Sequence, residues 1–427
     1  MGLLQKLFPS LRQPRQGMAA PAELRLSPGG IGYVLQPDDA DNRVAIGMAF
    51  RGGFMDDRAD APPAALVVMP ALFHQSFGGE AAARQDRLAD LGASVALLPQ
   101  ALETQGIVTA PRRSIDEAVR LCTCVFRPER IGEDAMRTGI EAARSNLRQA
   151  RADPQARNVA AMLEAAVEPG PEFDPNAVTE ADLARVTPQE LTAWCDRHLA
   201  RARLRACVVG PIDGPEADEA VDTLFAPVPE GRNADVRPPD LRPRTGPERI
   251  TLEAGGAGPA TLLLAASAHR ASSPDDYLAA HMFAFILAGD EGARLFRAIR
   301  DRSEASYGLR CAADVDAHSI SMSVAGTVAR AGIEDTIERI RAIVAELAET
   351  GPTEAETARA KAALRQYHRE IRLRHDAAAT EMIALLGAGW DVDAVNGVAD
   401  RIEALDLRGA TPLLQPLAAR PIIVASL

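Results

Sequence analysis

The stretch that decides the fold of this 427-residue chain is Ala288-Gly-Asp-Glu-Gly-Ala-Arg-Leu-Phe-Arg-Ala-Ile-Arg-Asp-Arg-Ser-Glu-Ala-Ser-Tyr307. It follows an apolar run, and its two glycines, Gly289 and Gly292, predict a turn. Beyond the turn the apolar residues recur with helical spacing. We therefore expect a helix that ends near Asp301 and a strand that begins near Ser306.

This arrangement places Arg300 at the end of the helix and Tyr307 at the start of the strand. A guanidinium and a phenol could then meet at one edge of a sheet. Such a pair could hold a peptide carbonyl or donate hydrogen bonds to an oxyanion. The alternative is a structural corner with a surface arginine and a half-buried tyrosine, and the residues alone leave both interpretations open.

The composition limits the classes of partner. The net charge is -12, which argues against nucleic acid. No apolar run approaches the roughly 20 residues that a membrane span needs. The segment Met1–Arg12 is a poor secretory signal, although its lack of acidic residues would also suit an organellar transit peptide. Five scattered cysteines are expected to be buried free thiols, as in a reducing compartment. We expect a cytoplasmic protein.

The order of predicted elements repeats once along the chain. Each half contains strands, two helices, a hairpin, further helices and a last strand, which predicts an internally duplicated α+β fold with an antiparallel-rich sheet in each domain. The predicted divisions are a flexible segment at 1–20, a first domain at 21–215, a linker rich in proline at 216–246 and a second domain at 247–427.

Two expectations concern the later helices. One long helical stretch is predicted from Thr353 to about Leu386. Its run Glu354–Arg365 is expected to be a solvent-exposed helix surface that carries charge pairs four residues apart. His368 and His375 are expected on a solvated face of the same helix.

Nearly the whole chain, from about Glu23 onwards, resembles the pitrilysin/insulinase-type zinc peptidases, in particular their short two-domain subunits of the mitochondrial-processing-peptidase-like type. The resemblance rests on the strand-then-helix entry Val44–Phe77, on Ile212-Asp213 after a buried strand, and above all on Leu287–Arg300. That last segment resembles the family's glycine-rich segment followed by Ser-Arg-Leu-Phe-x-x-Ile/Val-Arg. In the family, an arginine and a tyrosine seven residues apart bind substrate. The resemblance assigns these roles to Arg300 and Tyr307.

The chain departs from the family at the metal site. The family's zinc motif is His-x-x-Glu-His on the first long helix of the first domain, with a further glutamate ligand on a later helix. This chain has Leu66, Met69 and Pro70 at the motif positions and Asn146 at the distal one. None of these is a zinc ligand, so we expect no metal in this chain.

The resemblance therefore implies the non-catalytic subunit of a heterodimeric zinc metallopeptidase, inactive alone. A homologous partner with His-x-x-Glu-His would hold Zn²⁺, and this chain would contribute Arg300 and Tyr307 to peptide cleavage. The loop containing Ala288, Gly289, Gly292 and Ala293 would contact the peptide. One such cytosolic pair processes the precursor peptide of the quinone cofactor PQQ. The alternatives are a structural core-type subunit of a larger complex and a proteolytically inactive homodimeric peptide-binding protein.

Overall fold

The computed structural model describes residues 20–57, 61–126, 131–166, 177–231, 249–253, 258–269, 272–300 and 306–427. The first nineteen residues and positions 232–248 lie outside this part, so the flexible N-terminal segment and most of the linker remain predictions.

The described strands match those expected from the alternation of apolar and polar residues. They are β1 (Glu23–Leu26), β2 (Gly32–Pro37), β3 (Arg43–Arg51), β4 (Ser94–Pro99), β5 (Glu103–Pro111), β6 (Leu204–Gly210), β7 (Arg249–Leu252), β8 (Ala260–His269), β9 (Ser306–Val315), β10 (Ser319–Val328) and β11 (Ile422–Ser426).

Helices connect the strands in both halves. The described α-helices of the first half are α1 (Ala64–Phe77), α2 (Ala82–Asp90), α3 (Ile115–Cys122), α4 (Glu133–Ala152), α5 (Pro154–Ala166), α6 (Glu180–Leu183), α7 (Pro188–His198) and α8 (Gly214–Phe225). Those of the second half are α9 (Pro274–Ala288), α10 (Arg294–Arg300), α11 (Ile333–Thr350), α12 (Glu354–Arg372), α13 (His375–Gly387), α14 (Val392–Asn396), α15 (Val398–Ala404) and α16 (Gln415–Ala419).

The two halves build sheets of the same topology. The first sheet has the order β1-β2-β6-β3-β5-β4 and the second β7-β11-β8-β10-β9. In each, a central strand (β3 or β8) is antiparallel to both neighbours, and the last strand of the half (β6 or β11) runs parallel to the next strand outwards. The predicted α+β fold with two homologous halves is confirmed.

Each sheet is covered by a helix from the other half. Across the first sheet lies α13, whose Ala378, Ala379, Met382 and Ile383 pack on small residues of β3 and β6. This contact is close: the Cys207 thiol donates to the Ala379 carbonyl at 3.4 Å. Because α1 and α7 cover the opposite face of the same sheet, β3 is buried on both faces and its sequence is almost wholly apolar.

The reciprocal contact places α5 against the second sheet. Ala161 and Met162 pack on Leu263, Ala265 and Val424. Asn158, itself buried, donates to the Thr261 hydroxyl at 3.1 Å and accepts from the Ser426 hydroxyl at 2.5 Å. Neither sheet is therefore covered by its own half alone.

Two sequence predictions need correction. The linker predicted from residue 216 begins too early, because α8 occupies Gly214–Phe225 and buries Val221 and Leu224 in the first core. The long helix predicted from Thr353 to Leu386 is broken at Leu373 and Arg374, where α12 ends and α13 turns towards the first sheet.

The break between α12 and α13 also changes the environment expected for His375. It was expected on a solvated face, but it is fully buried at the start of α13. Its Nδ1 lies 2.6 Å from the Arg43 carbonyl oxygen and its Nε2 lies 3.8 Å from the Asp38 carboxylate. Burial alone would lower the pKa of His375, but these two groups outweigh it and the pKa is raised.

None of the described helices combines the length and the apolar character that crossing a bilayer requires.

We expect His375→Gln to lower the free energy of unfolding by on the order of 3 kcal/mol in mildly acidic solution, because it removes the partner of a buried carboxylate. The folded-state pKa of His375 is raised, so its contribution is complete below the unfolded value of 6.5 and is lost as the pH rises through the folded value. The pKa of Asp38 is lowered despite burial, so its own contribution fades only in acid below 3.8.

Urea unfolding of wild type and variant at about pH 5 and about pH 9 measures this difference. A smaller gap at the higher pH is expected. A gap that widens with pH would contradict the assigned role of His375.

Candidate functional site

The predicted site begins where α9 ends. This helix is apolar on nearly every side and stops at Ala288, after which residues 289–293 turn the chain into α10. The turn is closed by Asp290, whose Oδ1 accepts from the Gly292 amide at 2.9 Å and whose carbonyl accepts from the Ala293 amide at 3.0 Å. The loop and the helix are thus where the sequence predicted them.

Close contacts favour glycine at Gly289, and a side chain at Gly292 would displace the movable end of Arg359. A Cβ at Gly289 would lie 2.3 Å from the Phe285 ring, and a Cβ at Gly292 would lie 2.5 Å from a guanidinium nitrogen of Arg359. Gly289 is exposed, and Ala288 and Gly292 are half-buried. These three remain candidates for a peptide contact. Ala293 is fully buried, so its side chain supports the turn and is not available to a ligand.

Arg359 on α12 fastens this loop. Its Nη2 donates to the Gly292 carbonyl at 3.0 Å, its Nε lies 3.2 Å from the Asp290 carboxylate, and its guanidinium lies 6.0 Å from the centre of the Phe285 ring. One side chain therefore holds the loop through a backbone oxygen, a carboxylate and an aromatic face.

A second arginine anchors the first turn of α10. Arg294 donates to both oxygens of Glu356 at 2.8 and 2.9 Å, and the two side chains are only 13% and 8% exposed. The Arg294 guanidinium lowers the pKa of Glu356 to about 2 against the opposing effect of burial, helped by Thr353. The helix that ends at Arg300 is thus fixed to α12 at its start.

The expectation of a solvated surface along Glu354–Arg365 is therefore wrong for Glu356, which is buried, and incomplete for the half-buried Arg359. Glu356 and Arg359 lie within this run, yet both are committed to the loop and to α10. The capping box Thr353-x-x-Glu356 is a sequence signal that places Glu356 at the start of a helix. Its ion-pair partner Arg294 could not be predicted from a local pattern, because it lies 62 residues away in the sequence.

Tyr307 lies at an irregular point of the edge strand β9. Leu309 pairs with Gly326 and Ser306 with Val328, so one extra residue is accommodated in β9 at Tyr307 and Gly308. Gly308 has φ of 121°, which favours glycine, and a Cβ at Gly326 would come within 2.3 Å of its carbonyl oxygen. Bulges of this kind re-aim side chains at functional sites.

Arg300 is the last residue of α10 and Tyr307 the second residue of β9. Their side chains lie outside the described part of the structure, and the predicted contact between them remains a prediction.

The positions that correspond to the family's metal ligands lie on α1 and α4, which pack together. Met69 is buried, Leu66 and Pro70 are half-buried, and Asn146 is exposed. A thioether, two hydrocarbon side chains and an amide do not fit Zn²⁺. Elsewhere in the described residues, no group of three histidine, cysteine or acidic side chains is arranged to hold a metal.

Residues 185–364 match the family model described as the inactive domain of M16 peptidases. This similarity covers less than half of the chain. The expected resemblance to the pitrilysin/insulinase-type peptidases, which form the M16 family, is thereby confirmed for this part of the chain. No curated protein matches the sequence closely enough to count as a relative.

The fold is shared with many solved structures, including the following three. An M16 inactive domain from Pseudomonas fluorescens superposes with a TM-score of 0.82 at 16% identity, over 95% of this chain and 98% of its own. A chain of complex III2 from Candida albicans gives 0.75 at 15% identity, over 95% of both chains. The periplasmic protease PqqL from Escherichia coli gives 0.75 at 13% identity, over 96% of this chain but 47% of its own. At such identities the likeness shows the fold alone.

Arg359→Ala is expected to accelerate amide hydrogen exchange in the M16 loop at 289–293 by about tenfold, because the loop loses its charged hydrogen bond and its ion pair. The matched control is Arg365→Ala on the same helix, which removes an ion pair with Glu403 and leaves the contacts of Arg359 in place. Equal exchange in both variants would show that Arg359 does not hold the loop.

Gly326→Ala should lower the free energy of unfolding by about 1–3 kcal/mol, since the new Cβ overlaps the Gly308 carbonyl at the bulge. Gly258→Ala, which meets nothing within 4 Å, should stay within about 0.5 kcal/mol of wild type. Urea unfolding compares the two. Unchanged stability of Gly326→Ala would mean that the bulge is not built as described.

Proposed function

We propose that this chain is the non-catalytic subunit of a heterodimeric M16 zinc peptidase. The observation that carries the proposal is the contrast between two places in the fold. The residues at the metal positions, Leu66, Met69, Pro70 and Asn146, are not zinc ligands. The loop and helix that lead to Arg300, in contrast, are held in place by the ion pairs Arg294–Glu356 and Arg359–Asp290. A chain that served only as a scaffold has no need of that arrangement.

In this proposal Arg300 and Tyr307 act on a peptide whose scissile bond lies at the partner's metal. The arginine and the phenol donate hydrogen bonds to the carbonyl beside that bond and to the oxygen on which negative charge develops. The loop Ala288–Gly292 contacts the extended peptide. The partner, a homologous subunit with His-x-x-Glu-His, supplies Zn²⁺ and the general base, and this chain alone cleaves nothing.

We further propose a cytoplasmic location and, as the leading candidate substrate, the precursor peptide of PQQ. The support is the resemblance to a family that includes a cytosolic pair with that task, together with the acidic sequence and its free cysteines. The likeness to PqqL supports the fold of this proposal only.

The second candidate is a structural core-type subunit of a larger complex, which the likeness to a chain of complex III2 favours. Purification of the tagged chain from its own cells separates the candidates. A partner of similar size with His-x-x-Glu-His supports the peptidase, co-purification with a membrane complex supports the scaffold, and a homodimer without a partner supports an inactive peptide-binding protein.

Within the peptidase complex, Arg300→Ala and Tyr307→Phe are each expected to lower kcat by on the order of 10²–10³, as loss of one oxyanion donor does. The matched control is Arg297→Ala, which removes an exposed arginine one turn earlier on α10. Peptide cleavage and gel filtration of the complex provide the measurements. Wild-type rates for both variants in intact complexes would refute the proposed role.

A further inference from the structure

The duplication places a second polar cluster opposite the lost metal site. In the shared topology α1 follows β3 and α9 follows β8, so the two helices are equivalent. The two helices can be aligned by counting back from their last residues. Tyr277 of α9 then takes the position of Leu66 in α1, and His281 takes the position of Pro70. A face that is apolar in the first half is thus polar in the second.

Side chains from four segments meet at this face. The Tyr277 hydroxyl donates to one oxygen of Glu381 at 2.9 Å, and the Tyr367 hydroxyl to the other at 3.4 Å. The His281 ring lies against the Tyr277 ring at a tilt of 33°, with centroids 4.2 Å apart, and its Nδ1 lies 2.8 Å from the Tyr277 carbonyl oxygen. Because a carbonyl only accepts, Nδ1 carries the proton, and a neutral His281 keeps Nε2 as an acceptor.

The charges at this face are not balanced. Among the described residues, no lysine or arginine lies within ion-pair distance of Glu381 or of Asp314 on β9, whereas the buried Glu356 has Arg294. Asp314 is exposed, yet partial loss of its hydration raises its pKa, as does the charge of Asp316, and the neighbouring His281 opposes both. Two carboxylates without a cation favour a cationic ligand.

The face is also open and aromatic. Tyr367 is 45% exposed, and the Trp390 ring stands edge-on to Tyr277 at 5.6 Å. The buried part of the Tyr367 side chain and the nearby Glu381 charge raise its pKa to about 12, so its phenol stays a neutral donor. A carboxylate that accepts two phenols still has lone pairs free, and aromatic rings attract cations.

We propose that Tyr277, His281, Asp314, Tyr367 and Glu381, the tyrosine–carboxylate cluster, bind a basic side chain of a peptide. Its guanidinium or ammonium group donates to Glu381, Asp314 and the free nitrogen of His281, and its stem lies along the exposed Tyr367 ring. The net charge of -12 attracts such peptides over a longer range. This site belongs to the chain alone and does not depend on a metal-bearing partner.

The test uses the full chain and two probes, N-acetyl-arginine amide and the neutral, nearly isosteric N-acetyl-citrulline amide. The chain has two tryptophans, so an ¹H–¹⁵N spectrum has two indole signals. Trp390 reports on the cluster, and Trp194, in the first core, is the internal control. Trp390→Phe assigns the signals. We expect the arginine probe to shift the Trp390 signal saturably, and the citrulline probe to leave it in place.

Glu381→Gln should weaken binding of the arginine probe at least about tenfold, because it removes the charge and keeps the shape. Glu370→Gln on exposed α12 surface is the matched control and should bind as wild type. An unchanged Trp194 signal shows that each variant is folded. If the arginine probe gives no saturable shift, if citrulline binds equally, or if folded Glu381→Gln binds as wild type, the proposal is wrong. None of these results bears on the proposed peptidase role.

Discussion

The rest of the structure depends on the exchange of covering helices between the two halves. In α13 the second half supplies a helix to the first sheet, and in α5 the first half supplies one to the second. The helix α12 packs in the second core through Ala360 and Leu364 and leads directly into α13, so it joins that core to the first sheet. Arg359 and Glu356 on α12 in turn position the loop and helix before Arg300. The geometry of the candidate site is thus tied to the contact between the halves.

Sequence patterns predict what is local in this fold. Period-two alternation and helical spacing locate nearly every strand and helix, and the order of elements reveals the duplication. Partners across the chain are not encoded in such patterns. His375 looks like a surface residue until Asp38 and Arg43 surround it, and Glu356 looks like part of a solvated run until Arg294 pairs with it. The bulge at Tyr307 depends on the register with β10, which no local pattern gives.

The two halves share one fold, but the equivalent helices α1 and α9 carry different side chains. On α1 the face that holds the metal in catalytic relatives is apolar, and the chain matches the inactive M16 domain. On the equivalent helix α9, the same face carries a tyrosine and a histidine beside uncompensated carboxylates. This difference between two equivalent helices is what the proposed role, a subunit that presents a peptide to another chain, would need.

The most direct test of the central claim is the zinc content of the isolated chain and of the complex purified from its own cells. The account predicts zinc far below one ion per isolated chain, and about one ion per pair of chains in an active complex, as expected for a single catalytic site. Stoichiometric zinc in the isolated chain would contradict it, and so would an active complex that contains no zinc.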